Sequence, residues 1–364
     1  MERRRVTIKD VAARAGVSIA TVSNVFSGTK PVTDDLRRRV EKAASDLSYQ
    51  MDRAASQLRS GQARVIGVLV PDLDDTFFTS LVSRIEVLAM EDGYDVIVAS
   101  SRDDADLEQS RIRALLGWRP SGLIAVPCSD TVPDLLKSEA GRLPMVFADR
   151  VGPEGSFVDT VAIDNFEAGA IAARHLVELG HRKVVIAASD LGISPIRERV
   201  RGVAETLIAA VGTEPVVVEL GSNGERGADR FSSFLAGNPA PFVVIGLTNV
   251  TTLSALSALA RHRIDIPEAV SVIGFDDYPW MSARKTALTA IRQPIEEMGR
   301  LLWERLTLRM SGDDAAPRHV ALSTALQVRD SVRPVIGQPR RNSSGEPAEE
   351  RGAGQHHSAG QEPA

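Results

Sequence analysis

The chain has 364 residues, 43% hydrophobic and 25% charged, with a formal net charge of −5. This length exceeds one doubly wound domain, and a single cysteine, Cys128, excludes an internal disulfide or a multi-thiolate zinc site and fits a reducing cytoplasm. No long apolar stretch follows the basic Arg3, Arg4 and Arg5, so neither a secretion signal nor a membrane span is expected.

Thr7, with Asp10 three residues on, has the pattern of a helix start. Val11, Ala12 and Ala15 give that helix a narrow small-residue face, and Gly16 follows where a left-handed residue lets the chain reverse. Ser18 caps a second helix whose Val22 and Val25 face the first, leaving Ser18, Ile19, Ala20, Ser23 and Asn24 outward near its N-terminal end. A third helix opens at Thr33, followed by Asp34 and Asp35, with Leu36, Val40, Ala43 and Leu47 at helical spacing. Two helices hinged on a glycine with polar residues outward are a helix-turn-helix pattern, which sets the start of its second helix against base edges. An ordinary helical hairpin is the competing reading, and charge weighs against it. Residues 1–62 carry twelve basic and seven acidic side chains, +5, leaving −10 on the remainder. A basic head on an acidic body concentrates phosphate attraction at one end.

Beyond the head, Val/Ile-rich runs at 65–70, 95–99, 123–126, 145–147, 184–188, 216–220, 242–247 and 271–275 alternate with helical stretches. Continuous apolar strands between helices predict parallel sheets buried on both faces, and the series divides into two halves, hence two lobes with a cleft between. Asp164 and Asn165 open a helix stopped at Gly180, and Asn165 reads as structural; His181 is solitary and no metal ligand. Gln293 and Pro294, followed by Met298, Leu301, Leu302 and Leu306 at helical spacing, suggest a return crossing to the first lobe. From Gly337 the chain has almost nothing apolar and reads as a disordered tail.

Ligands of open α/β sheets bind beyond the carboxyl ends of the strands. The polar and flat residues there are Asp72, Phe77 and Phe78; Asp149 and Arg150; then Arg199, Thr248, Asn249, Asp276 and Trp280. Carboxylates, guanidinium forks and rings suit a sugar's hydroxyls and apolar face. Singly, each has an ordinary explanation as a cap, a core ring or a solvated helix face. The chain has no glycine-rich phosphate loop after the first core strand, no nucleophile elbow and no paired-histidine motif, so no enzyme activity and no cofactor or metal is expected.

The start Thr7-Ile8-Lys9-Asp10-Val11-Ala12, then Ala15-Gly16-Val17-Ser18 and Thr21-Val22-Ser23, then a linker and a two-lobed core, resembles the LacI/GalR family of transcription regulators from about Val6 to about Asp330. The resemblance implies a small all-α head, residues 1–50, and a hinge helix, 51–62. It also implies a periplasmic-binding-protein-like α/β core of two doubly wound sheets, with residues 63–163 and 293–320 in one lobe, 164–292 and 321–335 in the other, and 336–364 as tail. Ile19, Ala20 and Asn24 match positions that vary base preference, while Ser18, Thr21 and Thr33 match backbone contacts. Leu58 matches a minor-groove wedge, and Thr7, Ser23, Ala55 and Arg59 complete the expected DNA-contacting set. Met51-Asp52 departs from the family's frequent proline and asparagine before the hinge.

In the core, the resemblance maps Phe77, Asp149, Arg150, Arg199 and Asp276 onto effector contacts. Thr248-Asn249-Val250-Thr251-Thr252 replaces a frequent Asn-Asp-x-Met-Ala stretch and loses one carboxylate. Residues 221–224 carry no aromatic, so Trp280 is expected to supply the ring that stacks on the ligand. The implied protein is a cytoplasmic homodimeric repressor on a pseudo-palindromic operator, controlled by a sugar-like effector: a neutral monosaccharide, a sugar acid or a nucleoside-like molecule. A soluble sugar-binding transport component is the alternative, and a nucleotide-binding enzyme has only fold analogy behind it.

Overall fold

The computed structural model describes residues 6–27, 30–49, 64–150, 157–239 and 242–335. The expected hinge, with Ala55, Leu58 and Arg59, and the expected tail lie outside the described residues.

The head has three helices, α1 (Ile8–Ala15), α2 (Ile19–Ser27) and α3 (Asp34–Asp46). The Asp10 carboxylate accepts both the Thr7 N–H, at 2.8 Å, and the Thr7 hydroxyl, at 2.7 Å, anchoring the start of α1. Gly16 takes φ 65°, ψ 40°, and the Val17 N–H closes back onto the Ala12 carbonyl. Arg39 reaches across from α3 to the Ala15 carbonyl at 2.7 Å, filling an acceptor that the helix end leaves open. Val11, Val22 and Val40, one from each helix, are fully buried at the centre. Leu36, expected beside them, is only half-buried and outside this cluster, whereas Ala44 is inside it.

The body holds two six-stranded sheets. The first comprises β1 (Val65–Val70), β2 (Asp95–Ser100), β3 (Gly122–Ala125), β4 (Met145–Ala148), β5 (Asp159–Ile163) and β11 (His319–Leu322), in the spatial order β2-β1-β3-β4-β5-β11, all parallel. The second comprises β6 (Val184–Ala188), β7 (Val216–Glu219), β8 (Phe242–Gly246), β9 (Val270–Phe275), β10 (Thr289–Arg292) and β12 (Ala325–Gln327), in the order β7-β6-β8-β9-β10-β12, parallel except for antiparallel β12. Each sheet reverses its winding at one point, between β1 and β3 and between β6 and β8, which opens a crevice beyond the strand ends. The expectation of burial on both faces holds for β1, β3, β4, β6, β8 and β9 but not for the edges: β2 is only partly buried, and β7 exposes Val216 and Val217.

Of the helices that cover the sheets, α4 (Thr76–Glu91) follows β1 and α5 (Ala105–Gly117) follows β2. A short α6 (Asp134–Glu139) follows β3. In the second lobe lie α7 (Asn165–Glu178), α8 (Ser194–Val211), α9 (Gly224–Gly237), α10 (Asn249–Arg261) and a single turn, α11 (Pro279–Ser282). The last helix, α12 (Ile295–Met310), returns to the first lobe: Trp303 Nε1 donates to Asp92 at 2.7 Å, and Gly299 lies against the Arg84 stem. The chain therefore passes between lobes after β5, after β10 and between Leu322 and Ala325, two residues later than the expected 320/321 boundary. Among the described residues no helix is long and apolar enough to cross a membrane, and no cluster of side chains could hold a metal ion.

The return helix is tied to its sheet by Asp159, which is fully buried at the start of β5. It accepts from Arg305 Nη2 at 3.1 Å, from Arg309 Nε at 2.8 Å and from the Arg318 N–H at 2.7 Å. Burial pushes this carboxyl up, and the bonds from Arg309, the Arg318 amide and Arg305 outweigh it, so its pKa lies below the ordinary value. Asp159→Asn is expected to lower the stability of the core by about 3 kcal/mol in urea unfolding, because two guanidiniums lose their counter-charge in a dry setting. Since the folded pKa is depressed, the contribution of Asp159 is present above the unfolded carboxyl value, about 4, and is lost as pH falls through the folded one. The variant should therefore show a shallower acid loss of stability than the parent.

Candidate functional site

The two crevices face each other across one cleft, whose empty space is about 670 Å³ with its open mouth included. Its polar lining comes from strand ends. From the first lobe come Asp72 and Asp75 after β1, Asp103 after β2, and Asp149 and Arg150 after β4. Ser189 after β6, Ser222 after β7, Thr248 after β8, Asp276 after β9 and Gln293 after β10 come from the second. The apolar walls are Phe77 and Phe78, packed edge to face at 5.1 Å, facing Ile193 and Ile196.

Two of the carboxylates sit where their strands turn sharply. Asp149 has φ 63° and Asp276 has φ 79°, left-handed values that aspartate tolerates better than most residues. Each keeps a ladder bond while turning: the Asp149 N–H to the Val161 carbonyl and the Asp276 N–H to the Ile291 carbonyl.

Arg199 on α8 lies at the centre, 4% exposed. Its Nε donates to Asn165 Oδ1 at 2.8 Å, its Nη1 to the Leu247 carbonyl at 2.6 Å, and its guanidinium lies 4.0 Å from the centre of the Phe275 ring. Burial pulls its pKa down, opposed by the charges of Asp149, Asp276 and Asp75. Asn165, expected to be structural, holds this arginine in place. The two meet because α7 and α8 cross with almost no separation. A Cβ on Gly169 would stand 2.1 Å from the Arg199 carbonyl oxygen, and one on Gly202 would stand 2.0 Å from that of Phe166.

Asp276 is 5% exposed and fully bonded: Oδ1 accepts from Gln293 Nε2 at 2.6 Å and Oδ2 from the Asn249 N–H at 3.0 Å. Burial raises its pKa, and Arg199, Gln293 and Asn249 oppose that rise. The Asn249 side chain bridges the lobes, donating to Asp75 Oδ1 at 2.8 Å. Burial, and then the charge of Asp276, raise Asp75 to about 6. A second bridge joins the lobes, where Asp130 accepts from the Ser194 N–H at 2.8 Å and pairs with Arg197. On the first-lobe side Arg150 pairs with Asp103, donates to the Cys128 carbonyl at 2.9 Å and lies 5.6 Å from the centre of the Phe78 ring. Glu108 accepts the Cys128 N–H at 2.7 Å and its thiol at 3.3 Å beneath this group.

Of the expected effector residues, Asp72, Phe77, Phe78, Asp149, Arg150, Arg199, Thr248 and Asp276 line the cleft. The Thr248 hydroxyl is engaged in capping α10, accepting from the Thr251 N–H at 3.1 Å. Asn249 stands behind the lining and acts through Asp276 and Asp75. Trp280 requires correction: it packs against the second lobe's own cluster with Tyr278 and Met281 and does not line the cleft. Asp276 and Asp277, both at positive φ, turn the loop away, and Asp277 is clamped by Arg292 and Arg329, which fixes that direction. Asp75, Asp103, Ser189, Ser222 and Gln293 escaped the sequence reading, although all obey the same strand-end rule. Asp75 supplies from the opposite lobe a carboxylate beside Asn249, where the Thr248-Asn249 stretch lacks one.

In the head, Ser18 accepts the Thr21 N–H at 3.1 Å, so its cap is formed. Ile19 is 41% exposed, Ala20 is exposed, and Ser23 and Asn24 are half-buried on the same helix. Thr7 and Thr33 are exposed where α1 and α3 begin.

The glycine crossing gives a direct check on the assembly of the cleft. Gly202→Ala is expected to force α7 and α8 apart, lowering stability by about 1–3 kcal/mol and displacing Arg199 from Asn165. An unchanged unfolding midpoint would mean that the crossing can widen freely.

Residues 7–52 match the model of the bacterial regulatory proteins of the lacI family, and residues 63–327 match that of the periplasmic binding proteins and sugar binding domain of the LacI family. The HTH-type transcriptional regulator PtxS of Pseudomonas putida is 31% identical over 91% of this chain and 97% of its own. The HTH-type transcriptional repressor PurR of Photobacterium profundum is 28% identical over 90% of this chain and 98% of its own. A solved lac repressor dimer, bound to operator and the anti-inducer ONPF, superposes with a TM-score of 0.78 at 26% identity, covering 91% of this chain and 100% of that one. A helix-turn-helix head and a two-lobed ligand-binding core thus occur together and in order, and the chain belongs to the LacI family of transcriptional regulators.

Proposed function

We propose that the protein is a homodimeric repressor acting in the cytoplasm, whose affinity for a pseudo-palindromic operator is set by a small hydroxylated effector in the interlobe cleft. The observation that carries this reading is the cleft itself. Charged groups from both lobes converge on it, and Asn249 bonds Asp75 across it. A ligand seated between the lobes changes their closure, and two heads on one duplex respond to the angle that closure sets.

Ile19, Ala20 and Asn24 are the side chains assigned to base edges, with Ser18, Thr21, Ser23 and Thr33 toward the phosphates. Thr7, Ala55 and Arg59 complete that surface, and Leu58 wedges the central base step. The exposure of Ile19 and Ala20 on a basic module supports this assignment. Half-sites should lie about one helical turn apart.

Selection of genomic fragments by the full-length chain tests the reading, and a chain with no preference over bulk competitor would end it. Asp276→Ala should keep operator affinity while abolishing the effector response, read by fluorescence anisotropy with and without effector. A surviving response at parental affinity would show the cleft to be misassigned. Leu58→Ala should lose operator bending and specific affinity while retaining salt-sensitive non-specific binding.

A further inference from the structure

The cleft holds acceptors that are buried without a donor. Arg150 pairs with Asp103 and donates to the Cys128 carbonyl, both through Nη1, and Arg199 has committed Nε and Nη1 to Asn165 and Leu247. Acceptors are left over. Asp149 Oδ1 and Gln293 Oε1 are both buried without a hydrogen-bond partner, and the Gln293 side chain, 4% exposed, lines the cleft. Asp75 receives both its bonds on Oδ1, so Oδ2 takes none from the described residues.

Charge is unbalanced in the same sense. Five carboxylates, Asp72, Asp75, Asp103, Asp149 and Asp276, line the cleft with two guanidiniums, Arg150 and Arg199, and no lysine or histidine. Once Arg150 is paired with Asp103, Arg199 alone faces Asp75, Asp149 and Asp276. An acidic ligand would add a charge where five carboxylates already outnumber two guanidiniums. A neutral polyol would satisfy acceptors but leave the charge. A protonated amine supplies three donors and a counter-charge together.

Resting on the reading of the cleft as an effector site, we propose that the effector is a polyhydroxylated compound carrying a protonated amine, its nitrogen held by Asp75 and Asp149 and a hydroxyl donated to Gln293 Oε1. The unneutralised burial that holds Asp75 near 6 is relieved when the amine arrives. Binding therefore favours ionised Asp75, and affinity for the amine falls as pH drops through that value.

The test is calorimetric titration of the full-length chain with D-glucose, D-glucosamine and D-glucuronate, and with the three matching galactose compounds. At least one amino sugar is expected to bind about tenfold or more tighter than its parent hexose, with the uronate weaker than either. Its affinity should fall about tenfold from about pH 7 to about pH 5, while that of the parent hexose does not. In Asp75→Asn, which keeps an acceptor for the Phe77 N–H and Asn249, the preference for the amine should shrink toward that of the hexose. A uronate or hexose that binds more tightly than its amino counterpart overturns the amine and leaves the effector cleft standing. Absence of binding by both amino sugars also overturns the proposal. Loss of operator preference in the genomic selection would instead remove the regulator itself.

Discussion

A guanidinium with almost no access to water dictates the layout of the ligand-binding core. Arg199 needs counter-charge and hydrogen-bond partners within a dry crevice, and it draws on both lobes to obtain them: Asp149 and Asp75 from one, Asp276, Asn165 and the Leu247 carbonyl from the other. The strand ends that carry these groups are thereby committed to a shared arrangement. The sharp turns at Asp149 and Asp276 become useful because they bring carboxylates to that arginine, and the glycine crossing of α7 and α8 brings it an amide.

The same economy explains how the lobes are joined. Asn249 is held by Asp276 on its own lobe and extends to Asp75 on the other, so a single amide transmits the position of one buried carboxylate to its opposite number. Because Asp75 and Asp276 repel, the bridge stands between groups that would otherwise separate. The hydrogen bond and the charge repulsion thus act in opposite directions across the same gap.

Much of this was legible in the sequence. The head reads directly, since the Thr7 start, the Gly16 reversal and the Ser18 cap are local chemistry that tertiary packing does not override. Eight of the twelve strands announce themselves as apolar runs. The four that do not, β5, β10, β11 and β12, carry Asp, Thr, Arg, His or Gln and lie toward the far side of each sheet or at its edge. Missing β10 concealed Gln293, which is polar merely by composition until the strand before it is seen. Trp280 misled for the opposite reason: a ring in a polar loop suggests a ligand platform, but two consecutive left-handed aspartates and the Asp277 clamp send it into its own lobe. The glycines of α7 and α8 were invisible as a pair, since nothing local distinguishes a glycine that permits a helix crossing from one that is merely tolerated.

The chain's lone thiol sits beneath Arg150, bonded to Glu108. Burial, and then the charge of that carboxylate, push Cys128 up to about 12, so at neutral pH the nucleophilic thiolate is scarcely populated. Peroxide and disulfide exchange both act through the thiolate. The sulfur is therefore held as the neutral thiol and serves to pack the floor beneath Arg150.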